Sequence, residues 1–192
     1  MANRTVFVTG AAGGLGASTS RCLAARGWRV FAADLDESAL QELAKDSGIT
    51  PAPLAAACDG LDAVVNFAGI LGVGSLVEID AEAVRRVLDV NVMGTVRVNR
   101  ALFPLVLARR GRIVNISSET GWQSGMPFNG PYAMSKHAIE AYTDALRREL
   151  MFLGVSVIKI QPGPFRTAMV AGIERSFTRA TEASTYFKAM LT

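Results

Sequence analysis

The chain has 192 residues, of which 50% are apolar and 19% charged, with a formal net charge of +3. That length and balance suit one compact domain with several buried strands. The Lys and Arg residues are scattered and form no basic stripe, which argues against a nucleic-acid partner.

No run of about 18 apolar residues occurs, so no membrane span is expected. Cys22 and Cys58 lack metal-ligand spacing and read as buried thiols of a reducing compartment. A strand begins at Thr5 with no room for a secretory leader ahead of it, so the expected location is cytoplasmic.

In chain order, Thr5–Thr9 reads as a short buried strand with a glycine-rich turn directly behind it. Residues 17–26 have helical spacing closed by Gly27. Residues 28–33 form a second apolar strand ending at Asp34, and 37–45 a short helix stopped by Ser47-Gly48. Residues 53–58 read as a weak third strand and 62–67 as a strong fourth, closing in Ala68-Gly69. A long helix spans 81–109, a fifth strand Arg112–Ile116, a second long helix 131–153 before Gly154, and a sixth strand 155–161. Strands alternating with helices predict an α/β fold over residues 1–192, a doubly wound parallel sheet covered on both faces. Ligands then bind at the carboxyl ends of the strands.

One junction conflicts with this scheme. The third and fourth strands both read as parallel, yet only Gly60 and Leu61 separate Asp59 from Asp62. A parallel crossover takes about a dozen residues, usually a helix. The expectation is a missing helix-sized segment between Asp59 and Leu61. The C-terminal part also reads as short, since no seventh apolar strand follows the sixth.

The turn Thr9-Gly10-Ala11-Ala12-Gly13-Gly14-Leu15-Gly16 is a candidate pyrophosphate seat. Gly10 permits the tight turn, Gly14 lets backbone approach phosphate, and Gly16 allows close helix packing, with Leu15 in the same loop. Gly10, Gly13 and Gly16 satisfy an alternative spacing. Asp34 lies 18 residues beyond Gly16, where a carboxylate accepts from ribose hydroxyls. A 2′-phosphate would meet like charge there, which favours NAD over NADP. Asn66, Ala68 and Gly69 end the fourth strand, where small residues let an adenosine lie against the sheet. Asp59, ending the third strand, is a candidate adenine contact.

Tyr132 and Lys136 share one helix face. A free phenol titrates near pH 10. A lysine ammonium one turn on favours the phenolate and brings it toward the range that serves proton transfer. Ser118, at the end of the fifth strand, is placed to hydrogen-bond a substrate oxygen, and the three donors of Lys136 suit a ribose diol. Trp122, Met126 and Phe128 lie between Ser118 and Tyr132 and are candidates for an apolar substrate pocket. His137 points off the Tyr132–Lys136 face, and Glu119 and Glu140 show no paired-carboxylate geometry.

On residues 9–16, 66–69, Asp89-Val90-Asn91-Val92, 111–118, 132–136 and Pro162-Gly163 with Thr167, the chain resembles the short-chain dehydrogenase/reductase family. The matching stretches run in family order across nearly the whole chain. The resemblance implies a single Rossmann-type domain and a catalytic tetrad of Asn91, Ser118, Tyr132 and Lys136. By that likeness Asn91 sits where the long helix is distorted, its main chain holding a water that links Lys136 to solvent. Thr167 binds the nicotinamide carboxamide, and Pro162 and Gly163 brace the ring. Residues 144–150 and 164–167 resemble the branch acting on steroid and retinoid alcohols. A homodimer or homotetramer built on the helices of 81–109 and 131–153 is implied as well.

Three departures stand out. Phe67 replaces a second Asn common in the family. Ser118 lies 14 residues before Tyr132, one more than usual, which keeps Ser117 in contention. The family runs longer, its substrate lid among the parts missing here.

The reading is an NAD-dependent oxidoreductase interconverting a small apolar secondary or allylic alcohol and its carbonyl, with Tyr132 as general acid and base. The alternative is a non-catalytic nucleotide sensor of the same fold, which has no need of the full Ser–Tyr–Lys set. A sugar-nucleotide epimerase lacks its large C-terminal region here, and a methyltransferase leaves the Tyr–Lys pair unexplained.

Overall fold

Every residue of β1, Thr5–Thr9, is buried, as β-branched and aromatic side chains are when a strand is covered on both faces. A computed structural model describes residues 4–52 and 58–188 and places this strand inside a six-stranded parallel sheet. The other strands are β2 (Arg29–Ala33), β3 (Ile49–Pro51), β4 (Ala63–Asn66), β5 (Arg112–Ile116) and β6 (Ser156–Ile160). Their order is β3-β2-β1-β4-β5-β6. Winding reverses between β1 and β4, which pair from Val6↔Ala63 to Thr9↔Asn66. That reversal opens a crevice above their carboxyl ends.

Side chains alternate across the sheet into two apolar layers. Val6, Val8, Val30 and Val65 pack toward α1 (Gly14–Ala25) and α2 (Glu37–Leu43). Phe7, Phe31, Val64 and Ile113 pack toward α4 (Gly94–Ala108) and α5 (Gly130–Leu150). A polar cluster interrupts the second layer. Asn66 Nδ2 donates to Asn99 Oδ1 at 2.8 Å and to Asn115 Oδ1 at 2.9 Å, and Asn115 Nδ2 donates to Thr143 Oγ1 at 3.1 Å.

The helices begin and end on recognisable residues. Asp36 caps α2 by accepting from Ala39 N at 2.9 Å, and Asp80 caps α3 (Ala81–Leu88) by accepting from Glu82 N. Such caps satisfy amides that the first turn leaves open. Gly27 and Gly154 take left-handed backbone beyond α1 and α5, as helix stops require. The expected helix over 81–109 is two helices joined by a π-helical turn, Asp89–Met93. The expected helix over 131–153 ends at Leu150 and tightens into a 3₁₀ turn, Met151–Leu153. A further helix, α6 (Ala168–Ala183), was not anticipated.

The third strand among the described residues is Ile49–Pro51; the strand expected over residues 53–58 falls almost wholly on 53–57, which lie outside the described residues. Among the described residues β3 pairs only with β2, and a three-residue edge strand tolerates Pro51. Its shortness and its proline concealed it in the sequence. Residues 52–62 therefore separate β3 from β4. Extended, that stretch reaches about 36 Å, enough to recross the sheet without a helix. Asp59 to Leu61 is tied to β1 and α4. Gly60 O accepts from Thr5 Oγ1 at 2.8 Å, and Leu61 N donates to Leu105 O at 2.9 Å.

Cys22 is exposed on α1 and Cys58 half-buried, so the two thiols are not both core residues. Among the described residues no helix is long and apolar enough to cross a membrane.

Candidate active site

The glycine turn leaves β1 over the crevice. At Gly10 (φ +63°) a Cβ would lie 2.7 Å from Ala68 N, and at Gly16 it would lie 2.0 Å from Gly10 O. Backbone cannot yield at such distances, so both positions require glycine. At Gly14 a Cβ would meet Thr167 Cγ2 at 2.6 Å, whereas at Gly13 the nearest atom is 3.4 Å away. The spacing that matters is therefore 10–14–16. Gly13 starts α1 with no side-chain cap, so the first-turn amides are open to an anion.

Asp34 extends from the end of β2 across the same turn. Its Oδ2 accepts from Ala12 N at 2.9 Å and its Oδ1 from Asp36 N at 3.1 Å. Ala68 and Gly69 continue the rim beyond β4, and both line the cleft. Two expected cofactor contacts do not. Asn66 turns its amide down into the polar cluster beneath the sheet, because its strand position faces the α4 side. Asp59 sits at the amino end of the sheet, where Arg109 pairs with it at 2.8 Å and holds its carboxyl below the usual carboxylate range.

On the opposite wall, α5 presents Tyr132 and Lys136 toward the end of β5. Lys136 is buried, and its Nζ donates to Ile116 O at 2.9 Å and lies 5.5 Å from the Tyr132 ring centre. Burial pushes the ammonium down to about 8, opposed by the negative charge of Glu140. Burial also raises the Tyr132 phenol, and hydrogen bonding with Ser118 works against that rise. The phenol thus holds its proton, and the ammonium remains the majority form at neutral pH.

The neighbouring serines diverge. Ser117 Oγ donates to Lys136 O at 3.5 Å within the α5 packing, while Ser118 reaches Tyr132 and accepts from Thr120 N at 3.3 Å. Ser118 is the serine beside the phenol. His137 is exposed, its Nδ1 3.0 Å from Ala133 O.

Asn91 sits in the π-helical turn, 1% exposed. Its Oδ1 accepts from Ile70 N at 2.8 Å, and its Nδ2 donates to Ile70 O at 3.0 Å and to Ser135 Oγ at 2.9 Å. The side chain thereby clamps the loop after β4 to α5. Its main-chain oxygen accepts from Thr95 Oγ1 at 3.0 Å.

The glycine turn, Asp34, Gly69, Ser118, Tyr132 and Lys136 line one cleft of about 980 Å³, and Asn91 lies outside its lining. Pro162, Gly163 and Thr167 line it, as does Leu15. Of the three expected pocket residues only Met126 does. Trp122 is 64% exposed and lies off the cleft, and Phe128 packs edge-on against Phe187 at 5.5 Å. The apolar wall comes instead from Ile70 and Leu71 and from Met169, Ile173 and Phe177 of α6. The four-residue spacing of those last three was the available signal for α6.

A glycine turn at a winding reversal, an acid across from it and an open helix end define a dinucleotide-binding α/β protein. The sequence matches the family model described as short chain dehydrogenase over residues 4–59 and 49–176, and the chain belongs to that family. It is 37% identical over 193 residues to human retinol dehydrogenase 16, covering 88% of this chain and 59% of the relative. It is likewise 37% identical over 187 residues to human 17-beta-hydroxysteroid dehydrogenase type 6, covering 87% and 58%.

Among solved structures, an actinorhodin polyketide ketoreductase variant with NADPH aligns at a TM-score of 0.84 and 29% identity, over 95% of this chain and 78% of that one. A short chain dehydrogenase from Shigella flexneri complexed with NADP aligns at 0.79 and 29%, over 91% and 82%. The chain spans about three fifths of the length of the curated relatives it matches. The two stretches of the family match overlap at residues 49–59, where the crossover is short. Because 193 aligned positions draw on only 88% of 192 residues, roughly two dozen positions of that relative have no counterpart here.

Proposed function

We propose that this chain is an oxidoreductase interconverting an apolar secondary or allylic alcohol and its carbonyl with NAD, Tyr132 transferring the proton. The convergence of Tyr132, Ser118 and Lys136 on the cleft rim facing the glycine turn carries this reading. The cofactor fits the residues present: Gly10 and Gly16 let the turn close tightly on its own backbone and on Ala68, and that fold leaves the α1 amides open to an anion. When bound, NAD supplies the hydride acceptor.

Asp34 accepts from the ribose hydroxyls and opposes a 2′-phosphate by like charge, which supports NAD although two structural neighbours carry NADPH or NADP. Thr167, Pro162 and Gly163 flank the nicotinamide end. Ser118 orients the substrate oxygen toward the Tyr132 hydroxyl. Tyr132 donates its proton to that oxygen in the reducing direction and takes it back in the oxidising one. Lys136 stabilises the phenolate left behind. The apolar wall of Ile70, Leu71, Ile173 and Phe177 suits a hydrophobic alcohol, in keeping with relatives named for retinol and hydroxysteroids.

The test is NAD-coupled absorbance against hydroxysteroids, retinol and simple secondary alcohols. Tyr132→Phe should abolish turnover, a loss of at least about 10²-fold, while cofactor binding stays nearly unchanged. Turnover retained in that variant removes Tyr132 from the chemistry. A flat response across all alcohols with cofactor bound favours a nucleotide sensor.

A further inference from the structure

Tyr132, Lys136 and Glu140 recur every four residues along α5 and so form one stripe. The first two meet the cleft. Glu140 lies one turn deeper, against the end of β6. Its side chain is only 13% exposed, and Oε2 accepts from Lys159 Nζ at 2.7 Å and from Gln161 Nε2 at 2.9 Å. Its Oε1 is buried, and the Ser117 hydroxyl lies beside the carboxylate as a further hydrogen-bond donor. Gly121 closes the space above, since a Cβ there would lie 2.6 Å from Ser117 Oγ and 3.1 Å from Glu140 Cγ. A carboxylate so enclosed acts on its neighbours through a medium that screens poorly.

We propose that Glu140 is a positioning residue for the Tyr132–Lys136 pair: its buried carboxylate holds the Lys136 ammonium charged, and Lys159 sets how much of that negative charge Lys136 feels. The proposal rests on the catalytic reading above only for its consequence in turnover. The charge link itself is a property of the fold.

Few other ionisable groups face Lys136. Tyr132 lies above it on α5. Glu119, on the 3₁₀ turn Glu119–Gly121, shares the cleft wall. Lys159 comes from β6 and engages Asp144, a further turn along α5, at 3.0 Å. The π-helical turn contributes the neutral Asn91. Glu140 is the carboxylate whose field opposes the burial cost of the ammonium.

The two partners make opposite predictions. Glu140→Gln removes the negative charge and leaves Lys159 uncompensated, so Lys136 should lose its proton at lower pH, by roughly one unit. Lys159→Gln frees Glu140 from its counter-charge, so Lys136 should hold its proton to higher pH. The readout is competitive acetylation of the full chain from neutral to strongly alkaline pH, with the labelling midpoint of Lys136 measured by mass spectrometry. Circular dichroism reports folding of each variant, and either one alone tests the sign. Midpoints that move in opposite directions support the proposal. Midpoints that move together, or not at all, overturn it. A shifted labelling midpoint with an unshifted pH profile of turnover would leave the Glu140 link standing and count against the catalytic role of Lys136.

Discussion

Single residues set the strictest limits on this molecule. Gly16 has no room for a methyl group, because the atom it would strike is the Gly10 carbonyl 2.0 Å away. Gly16→Ala should therefore cost about 1–3 kcal/mol by overpacking, read as a lower denaturation midpoint. An unchanged midpoint would show that the turn relaxes. Lys136 makes a different prediction. Burial pushes its ammonium from 10.5 to about 8, so between those values the unfolded chain binds more protons than the folded one. Stability then rises with pH across that window, and the cost of burying the charge is fully present below it. Lys136→Met should abolish this slope, and equal slopes in both proteins would mean the ammonium is not desolvated.

At the scale of elements, the π-helical turn Asp89–Met93 redirects one long helix so that Asn91 reaches the loop after β4. Replacing it with Ala leaves the Ile70 amide and carbonyl without that partner, at a cost of about 1–3 kcal/mol. Hydrogen exchange at Ile70 should quicken in Asn91→Ala, and unchanged protection would show that the loop holds by itself.

Much of this scale was legible in the sequence. The spans of β1 and β5 read correctly because they are continuous apolar runs, and the glycine turn, Tyr132, Lys136 and Ser118, singled out by their spacing, meet at one cleft. What escaped was decided by tertiary contact. The edge strand β3 is short and ends in proline. Asn66 and Asp59 carry the right chemistry but face the wrong side or the wrong end of the sheet. The cleft wall from α6 lies beyond the last recognised motif.

For the whole molecule, cofactor binding and stability are linked. A ligand that binds only the folded chain adds about 2.7 kcal/mol at a hundredfold excess over its dissociation constant. Thermal midpoints should rise more with NAD than with NADP, and Asp34→Ala should narrow the difference. Equal shifts in the parent chain would remove Asp34 from cofactor choice. The short link between β3 and β4 leaves the strand order intact, because β1, β4 and β5 pair through their own edges.

Beneath those strands lie the three amides of Asn66, Asn99 and Asn115, among valines and isoleucines. If β5 slid by a single residue along β4, Asn115 would turn to the opposite layer, and both other amides would lose their common acceptor. An all-aliphatic interior would tolerate such slippage. Here misalignment is penalised by stranded polarity, so the trio acts as a key that admits one alignment of the strands and thereby fixes the rim on which Ser118 stands.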